Sequence, residues 1–138
     1  MTGISDLALL LASCSPVLSD KCYVFCCVTE NHQQWIERCT PLVTINEDEG
    51  MTLIVEADMA DQVKLNYNGK FKKITLTVHS SLEAVGLTAA FSKALAQNNI
   101  SANVIAGFYH DHIFVTEQDA DKAMATLIRL QQQHQQQQ

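Results

Sequence analysis

Ile74-Thr75-Leu76-Thr77-Val78-His79-Ser80-Ser81-Leu82-Glu83 is the stretch on which the fold turns. From Ile74 to His79 apolar and polar residues alternate, the pattern of a half-buried strand. Ser80 followed three residues later by Glu83 matches a capping box, so a helix is predicted to start there. Its buried face would be Leu87, Ala90, Phe91, Ala94 and Leu95, spaced as one helical stripe. Asn98-Asn99 supplies a stop. Working downstream, Ile100 to Ala106 reads as a second strand, Gly107 to Asp111 as a turn, and Ile113 to Thr116 as a third strand. Thr116 with Asp119 repeats the capping box, and Ala120, Ala123, Met124, Leu127 and Ile128 repeat the helical stripe. Strand, helix, strand, strand, helix is the ferredoxin-like split βαβ pattern short of one closing strand. Both helices are expected on one face of an antiparallel sheet.

Upstream the same physics gives a fainter copy. Ser5 is a candidate N-cap, Asp6 favours the helix dipole, and Leu7, Leu10, Leu11 and Cys14 form one face of a short helix. Cys22 to Val28 is apolar on both faces, as in a central strand. Leu42 to Ile45 and Met51 to Glu56 read as strands around the acidic turn Asn46 to Gly50. Asp58 to Leu65 fits a short helix, whereas His32 to Cys39 carries no decisive pattern. Asn66-Tyr67-Asn68-Gly69 is the expected boundary. The predicted organisation is a degenerate half over 1–68, a second half over 69–130, and a disordered Gln-rich tail over 131–138.

The chain has 138 residues, 47% of them hydrophobic, enough for a buried core and too apolar for disorder. Its net charge is −6. Residues 1–70 carry ten acidic and four basic side chains and residues 71–138 carry five of each, so all the excess acidity lies in the first half. No basic stripe exists to neutralise phosphates or an anionic membrane, which argues against nucleic acid and membrane partners. An amine-bearing ligand would be drawn to the acidic half. Leu11-Ala12-Ser13-Cys14 has the look of a lipoprotein cleavage box, but the first Lys is Lys21, so the basic leader of an export signal is missing. An odd number of cysteines (Cys14, Cys22, Cys26, Cys27 and Cys39) in apolar surroundings fits a reducing, cytoplasmic setting. With no C-x-x-C pair they read as small buried hydrophobes rather than zinc ligands. Cys26 or Cys27 with a His could make a hydrolase on paper, yet no nucleophile motif accompanies them. His110-Asp111-His112 puts two imidazoles on one strand face, but a metal site needs three or four ligands; a turn or an oligomer contact is the favoured reading. No metal and no cofactor is expected. Trp35 is read as packing.

Residues 74–116 resemble an ACT domain, a small regulatory ligand-binding module. Glu83-Ala84-Val85-Gly86-Leu87 matches its acid-x-x-Gly-Leu helix start, with Glu in place of the usual Asp and no Pro before the Gly. Asn99-Ile100-Ser101-Ala102-Asn103-Val104 matches the strand that follows. Over about residues 4–130 the chain resembles a family of small uncharacterised proteins with paired ACT-type halves. The matching segments are Tyr23-Val24-Phe25-Cys26, Glu47 to Leu53, Ser80 to Ala90, Asn103 to Gly107 and His110 to Val115. Two departures are Asn46 where Arg is usual before the acidic turn, and Thr116 for Pro. The resemblance implies an α+β protein of two ferredoxin-like, ACT-like βαββα halves. It also implies a non-catalytic regulatory role, because relatives with tandem ACT-type halves bind amino acids between halves.

The candidate ligand site follows from this together with the local physics. A strand-to-helix junction presents unpaired N–H groups and a positive dipole end, which can hold a carboxylate. The expected residues are His79, Ser80, Ser81, Leu82, Glu83, Val85, Gly86 and Leu87, with Asn103, Val104 and Ile105 alongside. Gly86 would allow a ligand to approach closely, or would merely ease packing. Glu83 could neutralise a ligand amine or spend itself on the cap. Glu47, Asp48 and Glu49 are alternative amine partners, or a solvated turn. The expected partners are a small amino acid or similar metabolite and a second copy of the chain, since open edge strands favour a homodimer. The rival expectation is an oligomerisation or docking module with no ligand.

Overall fold

The computed structural model describes residues 6–136. The chain runs α1 (Leu7–Ala12), β1 (Pro16–Val28), α2 (His32–Cys39), β2 (Val43–Glu47), β3 (Gly50–Glu56), α3 (Ala57–Gln62), β4 (Phe71–Leu76), α4 (Leu87–Gln97), β5 (Asn103–Ala106), β6 (Asp111–Thr116) and α5 (Ala120–Gln136). After α1 the order β-α-β-β-α therefore occurs twice, the expected pair of α+β halves. His32 to Cys39, untyped in the sequence, is the helix that completes the first copy.

The chain packs as two compact units, and their borders do not follow the repeat. The first unit is Asp20–Phe71; the second joins the segment up to Ser19 to the chain from Lys72 onward. In the first unit the strand order is β2-β3-β1. Tyr23 to Val28 pair antiparallel with Glu56 to Met51, and Val43 to Glu47 with Ile54 to Gly50. Its core is Val24, Cys26, Val28, Cys39, Met51, Leu53, Val55, Ala57 and Ala60, all buried. Alternate residues of β1 (Val24, Cys26, Val28) reach that core because strand side chains alternate faces.

In the second unit the order is β1-β4-β6-β5, with β5 and β6 antiparallel from Asn103↔Phe114 to Ala106↔Asp111. β1 starts in this unit and takes the place of the closing strand that the downstream sequence lacked. The core gathers Leu10, Leu11 and Cys14 with Ile74, Leu76, Leu87, Phe91, Leu95, Ile113, Val115, Ala123 and Leu127. Leu87, Phe91 and Leu95 of the predicted α4 stripe and Ala120, Ala123 and Leu127 of the predicted α5 stripe are buried, Ala90, Ala94 and Met124 are half-buried, and Ile128 is exposed because Thr126 takes the inward position; α1 belongs to their core.

Several local expectations are corrected. The cap of α1 is Asp6, whose carboxylate accepts from Leu9 N at 3.0 Å; Ser5 lies outside the described residues. β4 covers Phe71–Leu76 rather than 74–79, because Thr77 N turns to donate to Cys14 O at 2.9 Å. No capping box forms at Ser80 and Glu83: α4 starts at Leu87, with Gly86 at φ +100° as its cap. Thr116 and Asp119 bond each other (3.1 Å) and lead into a 3-10 turn over Glu117–Asp119 instead of capping α5 directly. Gln131 to Gln136 continue α5 where a disordered tail was expected. Gln131 and Gln135 each donate to Ala12 O at 3.0 Å, satisfying a carbonyl at the end of α1.

Candidate functional site

The two halves make equivalent strand-to-helix junctions, and each is a place where a ligand could meet main-chain donors. In the second half, residues 77–86 join β4 to α4. Ser81 Oγ accepts from Glu83 N at 3.2 Å and Ser81 O accepts from Ala84 N at 3.0 Å, which folds Ser81 to Ala84 into a turn. Ser80 is half-buried, and Leu82, Glu83 and Val85 are exposed. Gly86 has no Cβ for a reason visible on the spot: one built there would lie 2.9 Å from Leu7 Cδ2. The close approach at Gly86 is therefore made by a side chain of α1. Leu87 is buried in the core beneath.

The remaining expected residues divide between the units. In the second unit, His79 lies with its ring 5.2 Å from Tyr109 and 6.4 Å from Phe108. Asn103 Nδ2 donates to Phe114 O at 3.2 Å, which leaves Val104 and Ile105 as half-buried members of edge strand β5. In the first unit, Glu47 accepts from Thr52 Oγ1, while Asp48 and Glu49 form an exposed two-residue hairpin turn.

His112 sits in strand β6, and His110, just before it, is tied to the segment after β4. His110 Nδ1 donates to Val78 O at 3.3 Å, and His112 Nδ1 lies 2.9 Å from Thr75 Oγ1. Burial lowers the His112 pKa, with the nearby Lys73 and His110 charges acting in the same direction. Burial likewise raises that of Asp111. Among the described residues no group of three His, Cys, Asp or Glu side chains converges to hold a metal ion. The cysteines are free thiols. Desolvation, with Cys39 adding to it, pushes Cys26 up to about 11, the opposite of an activated nucleophile.

The first-half junction is short, with Thr29, Glu30 and Asn31 between β1 and α2. Asn31 caps α2 in the left-handed region (φ +59°) and makes no side-chain capping bond. Beside it opens a cavity of about 360 Å³ whose lining includes Cys27, Glu30, Asn31, Trp35, Lys64 and Leu65. Arg38 lies over the Trp35 ring, 4.8 Å from its centroid. Lys64, also left-handed (φ +61°), is in the turn that ends α3. Sequence reasoning missed this place because Glu30 and Lys64 are 34 positions apart and neither belongs to a motif. Only the excess acidity of the first half pointed toward it, since Trp35 reads as packing.

Two ACT-domain family models match the chain, one over residues 2–72 and one over residues 70–129. The chain belongs to the ACT-domain family. It holds two ACT domains in tandem, an α+β ferredoxin-type fold in two halves. A Vibrio cholerae protein of unknown function is 49% identical, with 94% of this chain and 99% of that one covered and a TM-score of 0.83. Lower-identity relatives share the fold. An Agrobacterium tumefaciens protein is 17% identical (80% and 84% covered, TM-score 0.67). The ligand-free regulatory subunit of aspartate kinase from Thermus thermophilus is 10% identical (86% and 97% covered, TM-score 0.65). No curated protein matches the chain. Among the described residues no helix is long and apolar enough to cross a membrane.

Proposed function

We propose that this tandem ACT protein is a non-catalytic, ligand-responsive regulatory module that binds a small amino acid or related metabolite. The observation that carries the reading is the pairing of two ACT domains with a metabolite-sized cavity at a strand-to-helix junction. The regulatory subunit of aspartate kinase, with the same fold, supports it by likeness of architecture. The Ser80 to Gly86 junction, with His79, Leu87 and Asn103 to Ile105 around it, is a second candidate for a carboxylate, through the first amides of α4. Leu7 competes for that space. Glu83 is the candidate amine partner there, and the exposed Glu47 to Glu49 turn of the first unit is a separate acidic candidate. Absence of a catalytic role is supported by the raised pKa of Cys26 and by the hydrogen bonds that hold His110 to Val78 O and His112 to Thr75 Oγ1.

A homodimer in a cytoplasmic setting completes the reading. It is supported by the edge strands β2 and β5, by Ile45 at 44% exposure on β2, and by the free thiols. The rival, a docking module without ligand, draws on Leu82, Val85, Phe108 and Tyr109, all exposed in the second unit. A thermal shift screen against the twenty amino acids separates the two. Ligand at a hundred times its Kd adds about 2.7 kcal/mol of stability. A screen in which none of the twenty moves Tm would remove the amino-acid reading and favour docking.

A further inference from the structure

Asn68-Gly69 lies in the segment between α3 and β4, and that segment is pinned on both sides. Upstream, Leu65 N donates to Ala60 O at 2.9 Å. Tyr67 packs against the first core, and its hydroxyl donates to Asp61 Oδ1 at 2.7 Å. Downstream, Phe71 opens β4 with its ring edge-on to Phe25, 5.1 Å between centroids. Between these anchors Asn68 and Gly69 are exposed, and no hydrogen bond among the described residues engages either one. A Cβ built on Gly69 would meet nothing within 4 Å, so water has open access. Gly69 sits at φ +73°, a conformation that favours glycine. The turn thus calls for the one residue whose backbone nitrogen no side chain shields.

We infer that Asn68 is a site of spontaneous covalent modification, deamidation through a succinimide. The Gly69 amide nitrogen gives up its proton and attacks Cγ of Asn68. A new N–C bond closes the ring, the C–N bond of the side-chain amide breaks, and ammonia leaves with that proton. One water then opens the ring at either carbonyl. The product is an aspartate, or an isoaspartate whose main chain runs through the former side chain. Water is the co-reactant, and nothing is oxidised or reduced. The other six asparagines are less suited. Each is followed by a residue that carries a side chain. Asn98 and Asn103 also spend their Nδ2 groups on Ala94 O and Phe114 O, and Asn46 is held in the β2–β3 ladder. Conversion adds a negative charge to residues 1–70, which already carry ten acidic and four basic side chains. In the isoaspartate form it also lengthens the main chain between Tyr67 and Phe71. The inference is independent of any ligand.

The test is incubation of the full folded chain in mildly alkaline buffer at physiological temperature, beside a synthetic peptide of residues 65–70. Timed samples are digested and mapped by mass spectrometry, run on an isoelectric focusing gel, and assayed for isoaspartate by enzymatic carboxyl methylation. The fragment holding Asn68 should gain the mass of an amide-to-acid exchange before any other asparagine does. An acidic band and methylatable isoaspartate should rise with it. Its rate should lie within about tenfold of the peptide's, as expected of a loop that opens at little cost. Asn68→Ser should remove the early acidic band and the isoaspartate together. Gly69→Ala should slow the conversion, because a methyl group then crowds the attacking nitrogen. A folded chain that converts more than about tenfold slower than the peptide would show a protected loop and overturn the inference. So would another asparagine converting first, or an acidic band that persists in Asn68→Ser.

Discussion

The two strand-to-helix junctions begin from the same chain order and end differently. At β1–α2 three residues make the turn, a left-handed Asn31 caps the helix, and a cavity with both charges remains open. At β4–α4 the connection spans residues 77–86, a left-handed Gly86 caps the helix, and Leu7 packs against it. Helix α1, which precedes the first copy of the repeat, makes the difference: its face is spent on the second-unit core and its Leu7 on the second junction. A repeat duplicates backbone order, but what lies against each junction is decided by segments outside the repeat.

The comparison can be tested through stability first. Phe91 is 1% exposed in the second core and Leu53 fully buried in the first. Truncating Phe91 to Ala should cost about 3–5 kcal/mol and Leu53 to Ala about 2–5 kcal/mol, measured by urea unfolding. Equal loss of all probes in both variants would show that the units unfold together; separate transitions would show that each core holds its own unit.

A smaller effect separates the two caps. Gly86→Ala forces an L side chain into φ +100° beside Leu7, and should lower stability by about 1–2 kcal/mol. Asn31→Gly occupies a left-handed position that Gly tolerates, and should stay within about 0.5 kcal/mol of the parent. If Gly86→Ala is neutral, the junction is looser than described and Leu7 does not define it.

pH sharpens the contrast further. His112 has a folded pKa below its ordinary 6.5, chiefly from burial. A group held neutral in the fold contributes stability above its unfolded pKa and loses it as pH falls through the folded value. Stability should therefore decline as pH drops below about 6.5, and His112→Gln should flatten that limb. Cys26 gives the opposite limb. With its folded pKa raised to about 11 from an ordinary 9.0, its contribution is complete below pH 9.0 and is lost as pH rises toward 11. The smallest effect is chemical: Cys27 is exposed and Cys26 and Cys39 are buried. Mass spectrometry after brief iodoacetamide treatment at neutral pH should find Cys27 alkylated well before its neighbour; equal labelling would mean that β1 is not held as described.

Much of the fold was legible because periodicity is local. The stripe Leu87, Phe91, Leu95 and the stripe Ala120, Ala123, Leu127 are buried as their spacing requires, and the alternation at Ile74 and Leu76 marks β4. The misreadings are equally instructive. Ser80 and Glu83 have the letters of a capping box, yet the chain needs ten residues to travel from β4 to α4, and a cap motif cannot reveal where the helix must start. The Gln-rich end looked like a tail because polar repeats make no core by themselves; two of its amides find Ala12 O across more than a hundred residues of chain.

By itself the sequence determined most element types, the strand-helix-strand-strand-helix order of the second half and the ACT resemblance that implies two such halves, since these depend on side-chain period, turn chemistry and short motifs that neighbours in the chain supply. Only the tertiary structure decided that β1 serves both units, that Leu7 packs against Gly86, and that Glu30, Trp35 and Lys64 line one cavity. Those are meetings between distant segments. Their cause is which apolar faces are buried against which others, a property of the packed whole that no local window of sequence contains.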